Sequence, residues 1–115
     1  MFRQFRAPEE YKVELLSEKV DVFSLGNVIY CIMTGLNPFD KNKFKLKEVQ
    51  KIVKKGILPP VKKEYKESDN SIDRALLKAF GRCLIYRWQD RAKAYEVRNM
   101  LLLELKKQVP VRGKP

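Results

Sequence analysis

The run from Val20 to Met33 constrains the fold of this chain more than any other stretch. Its apolar residues are Val20, Val22, Phe23, Leu25, Val28, Ile29, Tyr30, Ile32 and Met33, which reach nearly every face of a helix. A helix that is apolar all round is stable only when it is covered all round. The remainder of the chain therefore has to form a layer about a buried central helix. Ser17 is placed to cap its start, with Glu18 near the positive end of the helix dipole. Gly35 and Pro38 end it. Asp21, Ser24 and Asn27 interrupt the run, which is too short to cross a bilayer, and no membrane insertion is expected.

The layer is helical too. "KLKEVQKIVKKG" sets Leu46, Val49, Ile52 and Val53 on one face and stops at Gly56. "ILPPVKKEYKESDNS" reads as a loop, because Pro59 and Pro60 favour extended backbone. Ile72, Ala75, Leu76, Ala79, Phe80, Cys83 and Leu84 recur at steps of three and four, with Ser71 or Asp69 available as cap. A last helix runs from about Ala94 to Lys107, and residues 108–115, "QVPVRGKP", read as a disordered tail. No strand pattern competes. The expectation is an all-α fold of about four helices around a central one, with residues 1–107 as a single unit. Those helices do not suffice to cover the central one. Each large side chain left exposed forfeits roughly 1.5–3 kcal/mol, against a total margin of about 5–15 kcal/mol.

Charge and cysteine usage narrow the function classes. Lys and Arg total 25 against 14 Asp and Glu, a formal charge of +11. Such an excess favours acidic partners and salt-sensitive sticking to nucleic acid. The cations are scattered along all the helices rather than interleaved with stacking aromatics, so no specific nucleic-acid site is expected. There is no histidine, and Cys31 and Cys83 lack metal-ligand spacing. Reduced thiols and the absence of an apolar leader in "MFRQFRAPEE" fit an intracellular protein, cytoplasmic or nuclear.

Four motifs in order carry a family resemblance. They are "APE" at Ala7, Pro8 and Glu9, "DVFSLG" from Asp21 to Gly26, "MTGLNPF" from Met33 to Phe39, and "CLIYRWQDRAKAYEV" from Cys83 to Val97. Together they resemble the C-terminal lobe of a eukaryotic protein kinase, from Phe2 to about Leu105. The resemblance implies a buried ion pair between Glu9 and Arg91 that staples the substrate-facing segment Phe2, Arg3, Gln4, Phe5 and Arg6 to the helical base. It sets Asp21 against the backbone of a catalytic loop. Gly26 is read as permitting close helix packing. Residues 37–56 would form a helix that docks protein substrates or regulators, with Lys43, Lys45, Lys47, Lys51, Lys54 and Lys55 on its exposed face.

The resemblance also has gaps. A glycine-rich phosphate loop, the strand lysine, and the His-Arg-Asp and Asp-Phe-Gly motifs that supply base and magnesium ligands are not in these residues. ATP and magnesium are thus expected only for an intact parent, which would transfer phosphate to Ser or Thr of a protein. The chain as given is expected to contribute base and substrate segment without catalytic, cofactor or metal residues. The alternative is a short pseudokinase-like binding protein, a decoy for kinase substrates or regulators. Phe2 stands where Ser/Thr kinases usually carry threonine. Ala92-Lys93 replaces the common Pro-Ser or Pro-Thr, which removes the usual cap of the last helix at a cost of about 1 kcal/mol.

Overall fold

The apolar run forms α1, Lys19–Thr34, at the centre of the computed structural model, which describes residues 5–11, 16–39 and 43–108. The other helices are α2 (Leu46–Lys54), the single turn α3 (Lys63–Lys66), α4 (Ser71–Cys83) and α5 (Ala94–Gln108). A 3-10 turn, Pro8–Tyr11, precedes them. The described residues contain no strand.

The principal packing is α1 on α4, with α5 on α4 in turn. Val22, Phe23, Ile29 and Tyr30 of α1 meet Ala79, Phe80, Cys83 and Leu84 in one buried cluster. Gly26 makes this approach possible. A Cβ there would lie 2.6 Å from Cys83 Cβ and 3.0 Å from Leu84 Cγ. The Tyr30 ring sits 5.7 Å from that of Phe80, and its hydroxyl donates to Pro60 O at 2.7 Å. That bond ties the Pro59–Pro60 segment to the core. Val49 and Val53 bury one face of α2, which rests on the Pro8–Tyr11 turn.

Helix ends follow local hydrogen bonding more closely than residue type. The regular part of α1 starts at Lys19, but Glu18 already has helical backbone, so the first turn reaches back to Ser17 as expected. Ser17 Oγ accepts the Lys19 amide at 3.2 Å. α4 is capped by Asn70, not by Ser71 or Asp69. Asn70 Oδ1 accepts the amides of Ile72 and Asp73 at 2.8 and 3.2 Å. At α5 the Lys93 amide donates to Glu96 Oε1 at 2.9 Å. This reach-back offsets part of the cap lost with Ala92-Lys93. The segment read as loop contains α3, a turn in the most lysine-rich part of it. Gly35 ends α1 in the left-handed region, φ 72°. The tail expectation lies outside the described residues beyond Gln108.

α1 is left uncovered along one stripe. Leu25, Val28 and Ile32 are exposed, Ile32 to 68%, and Asp21 shares their stripe at spacings of three and four. α1 is buried where it faces α4, the Phe5 carbonyl and Pro60, and its cover stops at this stripe, the incomplete cover expected from the sequence. No helix among the described residues is long and apolar enough to cross a membrane.

Two outcomes test this packing. Gly26→Ala should lower stability by about 1–3 kcal/mol, because Cys83 Cβ and Leu84 cannot both retreat; an unchanged urea midpoint would refute the contact. Burial pushes the Cys83 thiol up to about 11, with Arg91 and Arg82 only partly opposing it. An alkylating reagent at about pH 8 should therefore modify half-buried Cys31 first and spare Cys83 until unfolding.

Candidate functional site

Arg91 carries the site. Its side chain is 0% exposed and that of Glu9 2%. Arg91 Nη1 donates to Glu9 Oε2 at 2.7 Å and Nη2 to Glu9 Oε1 at 3.0 Å, a bidentate pair. The remaining donors are also used. Nη1 reaches Lys19 O at 2.8 Å, Nη2 reaches Tyr86 O at 3.1 Å, and Nε reaches Ile85 O at 2.9 Å. The guanidinium lies 4.9 Å from the centroid of the Phe23 ring. All five N–H groups of the arginine thus have acceptors, which is what a buried guanidinium requires.

Local sequence explains why these groups meet. The Pro8–Tyr11 turn points Glu9 inward; Ala7, fully buried, donates its amide to Glu10 Oε1 at 2.9 Å. The loop after α4 wraps Arg91 with the carbonyls of Ile85 and Tyr86. Lys19 reciprocates from the start of α1, its Nζ donating to Arg91 O at 2.7 Å.

A second grip lies on α1. Ser24 Oγ donates to Phe5 O at 3.0 Å and Asn27 Nδ2 to the same oxygen at 3.4 Å. Both residues are buried, and Asn27 Oδ1 accepts no bond. The motif reading did not single out these two residues. Their signal was in the sequence: two polar residues three apart, on one face of an otherwise apolar helix.

Of the residues named from sequence, Glu9 and Arg91 are brought together, with Ala7 and Pro8 buried beside them. Gly26 packs against Cys83 at a distance from them along α1. Asp21 stands exposed in the first turn of α1 and joins none of these bonds. Phe5 is buried and Arg6 half-buried. Phe2, Arg3 and Gln4 lie outside the described residues. The α2 lysines, Lys45, Lys47, Lys51 and Lys54, are exposed, as are Lys43 and Lys55. Trp88 is half-buried. Among the described residues no three Asp, Glu, Cys or His side chains cluster as metal ligands.

Glu9→Ala and Arg91→Ala should each cost about 3–5 kcal/mol, since each strands a buried charge. The double variant should fall well short of the sum. Additive losses in urea denaturation would mean that the two side chains do not share one interaction.

The comparisons with known proteins agree with this geometry. A search of curated proteins finds no match. The family model described as the protein kinase domain matches residues 2–103, which takes in the Glu9 turn, α1 to α4, the Arg91 loop and most of α5. A match over that much of the sequence, on a helical base knotted at Glu9 and Arg91, makes the chain a member of the protein kinase domain family.

Proposed function

We propose that this chain forms the C-terminal helical base of a protein kinase domain, and that Phe2 to Arg6 face the protein substrate. The observation that carries this reading is the buried Glu9–Arg91 pair. It fastens the segment next to Phe5 and Arg6 to the base, while Ser24 and Asn27 hold the Phe5 carbonyl. The uncovered stripe of α1, from Asp21 to Ile32, is the surface on which the part of the lobe with the catalytic loop would pack. An intact parent would be a transferase moving the γ-phosphoryl group of ATP to Ser or Thr with magnesium.

The residues present do not fit ATP or magnesium. The chain holds no histidine and no Gly-x-Gly spacing, and the described residues gather no three carboxylates. No phosphoryl-transfer step is assigned to it. A second reading, a short binding protein or decoy for kinase substrates or regulators, is favoured by one observation. The lysines of α2 and of the residues flanking it are exposed, whereas Val49 and Val53 are buried.

Two measurements test the first reading. The chain alone should show no thermal shift with ATP and magnesium; a saturable shift would overturn the assignment. Mixed with the upstream part of a kinase domain that ends before Ala-Pro-Glu, it should associate, and Ile32→Asp should abolish that association. Association that ignores Ile32→Asp would show that the stripe is not the contact.

A further inference from the structure

A cleft of about 240 Å³ opens where the chain leaves α2. Pro8, Phe23, Val53 and Leu84 form its buried walls. Ile57 and Leu58 stand at its edge, 53% and 42% exposed. Gly56, with φ 78°, turns the chain so that these two residues follow. The volume falls below the ~300–1,000 Å³ of ordinary small-molecule sites and suits one bulky side chain.

Gly81 also lines the cleft, from inside α4. A glycine within a helix costs about 1 kcal/mol relative to alanine. At Gly26 close packing against Cys83 accounts for that cost. At Gly81 nothing comparable does, because a Cβ there would meet no atom within 4 Å and the backbone has no positive φ. A side chain at position 81 would have open space in which to extend, beside the cleft that Gly81 lines.

The surroundings define the occupant's charge. From Lys43 to Lys63 the sequence holds eight lysines, all exposed, and one acid, Glu48, whose carboxylate accepts the Lys45 amide. We propose that the cleft takes a bulky apolar side chain from an acidic peptide segment of a partner protein, whose carboxylates lie along Lys51, Lys54 and Lys55. This deepens the docking reading above and rests on it. The chain's own last seven residues do not match, since they carry Arg112 and Lys114 and no acid.

The test uses the full chain and a short fluorescein-labelled peptide of glutamates and serines with one central tryptophan, read by anisotropy at about 0.15 M salt. Binding should be saturable. Replacing the tryptophan by alanine should weaken it about tenfold or more, as expected for an anchor residue. Gly81→Leu should weaken it equally while leaving the melting temperature unchanged or higher, because the new side chain enters open space in a helix. Joint replacement of Lys51, Lys54 and Lys55 by glutamine should weaken binding and reduce its salt dependence. Binding indifferent to both the tryptophan and Gly81→Leu would overturn the cleft and leave only a docking face of charge. Equal affinity for oligothymidylate or phosphatidylserine vesicles, likewise indifferent to Gly81→Leu, would also overturn it. No peptide binding at all would overturn the docking reading with it.

Discussion

A buried guanidinium whose five donors are all satisfied fixes the rest of this structure. Removing Arg91 from water is costly, and the fold recovers that cost only if each N–H finds an acceptor of good geometry. The acceptors come from three distant stretches: Glu9 in the 3-10 turn, Lys19 at the start of α1, and Ile85 and Tyr86 after α4. None of these can move without stranding a charge. The turn, the first residues of α1 and the loop before α5 are thereby held in one arrangement. Because α2 rests on the turn, its position follows from the same bonds.

The segment from Phe5 to Tyr11 is consequently held at two points by different physics. Near its end the bidentate ion pair holds Glu9, and at its start two neutral hydrogen bonds hold the Phe5 carbonyl. A charge-assisted pair resists displacement more strongly than neutral bonds do. Glu9 is therefore the more firmly held end of this segment and Phe5 the less firmly held one. Ser24 and Asn27 also explain why an apolar helix tolerates polar residues inside. They donate to the backbone carbonyl of buried Phe5.

Much of this was legible in the sequence, and what was not has identifiable causes. Periodicity found the four main helices, since each buries a stripe at helical spacing. The four ordered motifs pointed to Glu9 and Arg91 as partners. Ser17 caps α1 as its chemistry suggested, but the α4 cap was misplaced, because Ser71 and Asp69 have the right chemistry and only the side-chain direction of Asn70 decides the outcome. The three backbone carbonyls on Arg91 were illegible, because every residue carries a carbonyl and only the fold chooses among them. α3 was missed for a related reason: four residues are too few to show a period. Gly26 and Gly81 look alike in sequence, each a glycine inside a helix. Only coordinates separate one that a neighbour presses upon from one that borders open space.

The open side of α1 specifies what would fit it. Contiguous exposed apolar side chains mark contact surfaces more often than free ones. Here Leu25, Val28 and Ile32 follow one another at steps of three and four. Asp21 lies at the N-terminal end of the same stripe, in the first turn, where the helix dipole favours a carboxylate. A partner element that covered the stripe would also desolvate Asp21, and a buried carboxylate without donors is strongly unfavourable. The partner must therefore be apolar along about two turns of α1 and must present hydrogen-bond donors at one end. A purely apolar helix fails the second condition and a polar loop alone fails the first. An apolar element leading into a loop with free backbone amides meets both, which is the pairing that the protein kinase domain reading requires at this face.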